Sequence, residues 1–171
     1  MAVAGREASM ASYTEIEYMR VMNQTFYDQV KTADQKAGFI CTFLTILFAY
    51  SKDHGQLLIF LTTPPALSVM WVLSLGFVST AFFAIVCTAL VILPRAKTGG
   101  STLYWGSWTN PHSYAEKLSG GVPDEFIISE YLTNIKNLAH ICQVKYKYVG
   151  LAFRAAGVAI VCYISIVLFG R

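Results

Sequence analysis

From Tyr13 onward, Ile16, Met19, Asn23, Phe26, Val30, Ala33, Ala37 and Ile40 follow one another at intervals of three or four. That is the spacing of one face of an α-helix. Only Asn23 interrupts an otherwise apolar stripe. No Pro or Gly lies between Tyr13 and Lys36. The stripe therefore predicts one continuous helix, amphipathic and water-facing over 13–36, that runs on into AGFICTFLTILFAY and a first membrane span over about 35–52. Ala37 to Tyr50 is only 14 residues, a length that fits an interfacial or re-entrant segment as well as a span. It gains length by drawing in 33–36, with Lys36 snorkelling to the headgroups, or by continuing past Tyr50.

After the polar patch at 51–54 comes LLIFLTT, too short to span, and then Pro64 and Pro65 break the chain. A second span is predicted over 66–93, which carries no charge. Ser68, Ser74, Gly76, Ser79 and Thr80 within it have two readings. Small residues allow close helix approach in lipid, and Ser and Thr also bond carbonyls of their own helix. Pro94 and Arg95 close the span, and a loop rich in glycine and aromatics follows. A last helix is predicted from Pro123, because PDEF puts proline and two acids in a first turn. Ile128, Tyr131, Leu132, Ile135, Leu138, Ala139, Cys142 and Val149 continue it at helical spacing into Tyr148 to Phe169, a 22-residue run whose only charge is Arg154. Unbroken from about Asp124 to Phe169, it would measure about 70 Å. The expected fold is all-α, with three transmembrane helices (about 35–52, 66–93 and 148–169). The first and last extend into the cytoplasm as amphipathic helices, and 94–147 forms a cytoplasmic loop and helix.

Composition agrees with a membrane protein. A mean hydropathy of +0.49 and 13% charged residues exclude a soluble single-core domain. The start has scattered charges and no apolar core beside a cleavage site, so the first hydrophobic segment is expected to be retained. Formal net charge is +3, and its distribution matters more than its size. Basic residues cluster before Ala37 and between Arg95 and Lys147, with Lys52 alone in the first loop. The positive-inside rule then places the N-terminus and the 95–147 segment in the cytoplasm.

The chain lacks GxSxG, HExxH and a P-loop. Cys41, Cys87, Cys142 and Cys162 stand apart, as do the three histidines, so neither a metal site nor an enzyme is expected. A turn at Gly99 and Gly100 beside Lys97 offers at most an anion nest. Arg95, Lys97, Tyr104, Trp105, Trp108, His112, Lys145, Tyr146 and Lys147 mix basic and aromatic side chains. An interfacial belt explains such a mixture. So does a pocket for a small anionic aromatic ligand, its ring on Trp or Tyr and its phosphate on Arg or Lys. The charge is too small and dispersed for a nucleic-acid polymer. Asp34, Lys36 and Arg154 lie at or inside the apolar boundary, where charge is costly. Either they mark a headgroup level with Arg154 snorkelling, or Asp34 and Arg154 pair and couple the cytoplasmic part to the spans.

The segment QVKTADQKAGFICTFLTILFAY, the Pro94–Arg95 pair, LYWGSW, and NLAHICQVKYKYVGLAF resemble the Pycsar transmembrane effector family. The resemblance covers the chain from about Thr25 onward. Its most specific pieces are ADxKA at the head of the first span and IxxxKY before the last. The SLATT membrane effectors share the layout. The matching positions are Ala33, Asp34, Lys36, Ala37, Pro94, Arg95, Trp105, Lys145 and Tyr146. The resemblance implies a bacterial antiphage system in which a pyrimidine cyclase makes cyclic CMP or cyclic UMP. The effector senses that nucleotide and impairs the inner membrane, so that the cell dies or stops growing. On this basis Arg95, Lys97, Trp105, Trp108, Lys145 and Tyr146 are the expected ligand contacts, with Arg95 on the phosphate. Asp34, Lys36 and Arg154 are the expected coupling residues, in a homo-oligomer without metal or catalytic group. The alternative is a non-catalytic accessory subunit of a larger membrane complex.

Overall fold

A computed structural model describes residues 2–53, 69–93, 103 and 121–169, with side chains from 13 to 50 in the first of these segments. Three helices account for nearly all of it: α1 (Ala2–Asp53), α2 (Val69–Ile92) and α3 (Asp124–Phe169). The described residues are all-α, as expected. The last helix has the predicted bounds, and α1 begins well before Tyr13. The 54–68 segment, with Pro64, Pro65 and Ser68, and the 94–120 segment, with Arg95, Lys97, Trp105 and Trp108, lie outside the described residues apart from Leu103.

Local chemistry explains the helix ends. At the α3 start, the Phe126 and Ile127 amides donate to the Pro123 carbonyl at 3.0 and 3.3 Å, and Asp124 and Glu125 occupy the first turn, where the helix dipole favours negative charge. Gly121 precedes them at φ +83°, a left-handed conformation that suits glycine. At the α2 end, the Leu93 amide donates to the Ala89 carbonyl at 2.9 Å. Pro94 comes next in sequence and disfavours a further helical residue before it.

The chain divides into two units. Unit 1 holds 1–31 and 95–143, and unit 2 holds 32–94 and 144–171. In unit 1, α1 and α3 run parallel. Asn23 meets Asn134 and Gln29 meets Cys142, at sequence separations of 111 and 113. Asn134 sits on the buried face of α3 at 7% exposure. Leu132, expected on that face, is 41% exposed instead. Two residues of helix are 200° of rotation, so burying 134 turns 132 outward.

In unit 2, α1 and α3 are again parallel, and α2 runs against both. Val91 packs with Ala33, Ala37 and Val149, whereas Phe77 stacks with Phe48 and Tyr163 at centroid distances of 5.3 and 5.7 Å. Small residues make this close approach possible: Ala33, Ala37, Ala81, Ala84, Ala152 and Ala159 are fully buried. A Cβ on Gly76 would stand 3.4 Å from the Cys162 sulfur. The α2 hydroxyls support both expectations, since Ser74 packs inward while Ser79, Thr80 and Thr88 donate to carbonyls three or four residues back.

Among the described residues, α2 and α3 are long and apolar enough to cross a membrane, and only about a third of each apolar window is buried inside the protein. Phe82, Phe153, Val161 and Phe169 all face outward. Exposed apolar surface on that scale marks a face that meets a membrane or a partner.

Candidate functional site

The charged and aromatic residues of the two most specific motifs, Asp34, Lys36, Lys145 and Tyr146, meet within unit 2. On α1, Ala33 and Ala37 are one turn apart and fully buried, which brings α3 close to the charged residues between them. The Lys145 ammonium donates to the Asp34 carboxylate. The Lys145 side chain is 7% exposed and that of Asp34 40%, so the cation is enclosed and its partner reaches solvent. Beside this pair, the Lys36 ammonium stands 5.3 Å from the centre of the Tyr146 ring, within cation–π range. ADxKA and IxxxKY are thus two halves of one polar joint. Sequence alone separates them, assigning one to coupling and the other to ligand contact.

A parallel register fixes this pairing. With partners 111 residues apart, Asp34 falls opposite Lys145, and residue 154 falls opposite residue 43, which is Phe43. Of the two readings of these charges, the Asp34–Arg154 pair does not form, because Asp34 holds Lys145 instead. Arg154 is exposed and lies about 13 Å farther along α3.

An anion that reaches Lys145 must compete with Asp34. If the pair opens, a nearly dry ammonium loses its counter-charge, so the closed arrangement is favoured. Among the described residues no three His, Cys, Asp or Glu side chains group as a metal site.

Unit 1 carries two polar contacts that periodicity did not anticipate. The Asn134 amide donates to the Asn23 side-chain oxygen at 2.7 Å, and the Cys142 thiol donates to the Gln29 oxygen at 3.4 Å. Burial pushes the Cys142 thiol up from the ordinary range and keeps it protonated. Asn23 was legible as the polar break in an apolar stripe. Its partner was not, because Asn134 sits in a polar-looking stretch where nothing local marks it as buried.

Among the expected site residues, Asp34, Lys36, Lys145 and Tyr146 come together, Arg154 stands apart, and Arg95, Lys97, Trp105 and Trp108 lie outside the described residues. A family model, PycTM, the Pycsar effector protein domain, matches residues 18–170 and so contains the whole joint. No curated protein and no solved structure matches the chain.

Proposed function

The chain belongs to the Pycsar effector family, and on that premise we propose that cyclic CMP or cyclic UMP, made by a partner pyrimidine cyclase, drives it to impair the bacterial inner membrane. As a member of that family it is an antiphage effector activated by a cyclic nucleotide. Family effectors of this transmembrane type are generally non-catalytic, and α2 and α3 are candidate membrane helices.

The observation that carries the reading is the joint itself. Asp34 holds Lys145 and Lys36 caps Tyr146 where the hydrophobic run of α1 begins. A nucleotide whose phosphate rests on Arg95 and Lys97, and whose base stacks on Trp105 or Trp108, brings negative charge to the cytoplasmic side. With Lys145 also a ligand contact, the nucleotide would compete with Asp34 for it and favour the arrangement in which the pair is open. Binding that arrangement more tightly is sufficient to shift the population toward it. Asp34, Lys36 and Arg154 would transmit the change to the spans, and a homo-oligomer would cover the outer apolar faces.

The register also supports a third span. If residue n of α1 stands beside residue n + 111 of α3, then 37–53 stands beside 148–164, which is most of the last apolar run. α1 continues to Asp53, past Tyr50, and so gains the length that its uncharged core lacks. On this reading both the N-terminus and the 94–147 segment are cytoplasmic.

The test is dye release from liposomes containing the purified full chain, titrated with cyclic CMP, cyclic UMP, cyclic AMP and cyclic GMP. Release with one pyrimidine nucleotide, lost in Arg95→Ala, is the expected result. Release with a purine nucleotide alone would refute the ligand class, and no release with any would favour an accessory subunit.

A further inference from the structure

An open groove of about 490 Å³ lies within unit 2 between α1 and α3, beside the Lys36–Tyr146 contact. A second hollow of about 250 Å³ shares three of its residues, Phe153 among them, and extends it away from Lys36. Along α3 the lining runs from Tyr146 to Ile160, about 21 Å at 1.5 Å per residue. One leaflet contributes about 15 Å of hydrocarbon, half of the usual ~30 Å. The groove is thus long enough for one leaflet and its headgroup level.

Gly150 and Gly157 form part of that lining. A Cβ at either would meet nothing within 4 Å, and neither has positive φ. Helical glycine is among the weakest helix formers. No turn and no close neighbour in unit 2 calls for glycine at these two places, and what they leave is room. Charge is one-sided at the mouth. Lys36 is exposed, and among the described residues its ammonium meets the Tyr146 ring and no carboxylate, since Asp34 is engaged by Lys145. Arg154, exposed between the two glycines in sequence, belongs to neither lining, so Lys36 is the cation that the groove itself presents. Beyond Lys36 the lining is apolar apart from the Tyr146 hydroxyl, so a nucleotide base would find few partners there.

We infer that this groove binds one anionic phospholipid, with its phosphate on Lys36 and an acyl chain laid over Gly150, Phe153 and Gly157. The inference rests on the membrane placement of α3 and on α1 standing beside it. It does not depend on which nucleotide activates the protein. A lipid held there would bridge α1 and α3 next to the Asp34–Lys145 pair, making the response of the effector dependent on headgroup charge.

The test uses the full chain with Phe153→Trp as its one tryptophan, Trp71, Trp105 and Trp108 being replaced by Phe. It is reconstituted in phosphatidylcholine vesicles containing brominated phosphatidylglycerol or brominated phosphatidylcholine. Quenching by the anionic lipid should correspond to a relative affinity of about fivefold, the weight of one basic residue near an anionic surface. Lys36→Gln should bring the ratio near one, Lys36→Arg should keep it, and Gly157→Leu should reduce quenching by both lipids, with helicity unchanged by circular dichroism. Equal quenching by the two lipids, or a preference that survives Lys36→Gln, would overturn the inference. So would absence of quenching by either, the result if a second copy fills the groove. A reporter fused at His54 checks the α1 span independently, because position 153 sits in the α3 span whichever way α1 runs.

Discussion

Removing Asp34 should cost more stability than removing Lys145, although both substitutions break the same pair. Asp34→Ala leaves the Lys145 ammonium at 7% exposure with no counter-charge. Truncating one member of a fully buried pair costs about 3–5 kcal/mol, against about 0–1 kcal/mol for an exposed one. Because the Asp34 side chain is 40% exposed, water screens the pair and enters when it is broken. The loss should fall between those limits, at about 1–3 kcal/mol. Lys145→Met leaves a carboxylate that solvent already reaches and fills the ammonium's place with apolar volume, so its loss should stay below about 1 kcal/mol. Asp34→Ala with Lys145→Met removes the uncompensated cation and should recover most of the single-mutant loss. Unfolding of the four chains in mixed micelles, followed by circular dichroism, gives the double-mutant cycle. If Lys145→Met proves as damaging as Asp34→Ala, or the coupling energy is zero, the pair does not hold the helices as the geometry requires. The same chains bear on gating: if the closed pair keeps the effector silent, Asp34→Ala should raise dye release without nucleotide.

Two further outcomes follow from single polar atoms. Asn23→Ala strands the Asn134 amide at 7% exposure and should cost about 1–2 kcal/mol in the same unfolding assay, whereas Leu at both positions should be nearly neutral. Among the described residues, the Ser74 hydroxyl is fully buried without a hydrogen-bond partner. Ser74→Ala should therefore leave stability unchanged or raise it by about 1 kcal/mol, and a clear loss would mean that the hydroxyl is satisfied after all.

Much of the fold was legible because helix periodicity is local. The stripe from Ile16 to Ile40 gave the buried side of α1, and the PDEF turn with the unbroken run to Phe169 gave α3 its bounds. The start of α1 was not legible, since AVAGREASMAS carries helix formers without an apolar stripe and periodicity has nothing there to count. The buried polar residues of α3 were harder still. Lys145 looks like one more lysine beside a span, and only its partner 111 residues earlier shows that it faces inward. Pairing across that separation is a tertiary fact. No window of the chain contains it, and the relative direction of two helices had to be known before Asp34 could be matched with Lys145 rather than Arg154.

That direction bears on how the joint could work. With parallel helices, a shift of α1 by one turn, about 5.4 Å, carries Asp34 from Lys145 to the level of Ile141 or Val149. Neither offers a donor side chain, and Lys145 would face residue 30 or 38, Val30 or Gly38, with no acceptor side chain. The Lys36–Tyr146 contact would be lost in the same step. One register satisfies both contacts, and its neighbours satisfy neither. The joint therefore resists gradual sliding and favours two-state behaviour, and an anion that competes with Asp34 for Lys145 would ease the step from one state to the other. On the proposed function, a nucleotide phosphate would supply that charge only when the cyclase is active, whereas on the inference above a membrane phosphate on Lys36 would be present throughout. The first suits a trigger and the second a standing brace, which is why the two anions should be separable by mutation at Lys36 and at Arg95.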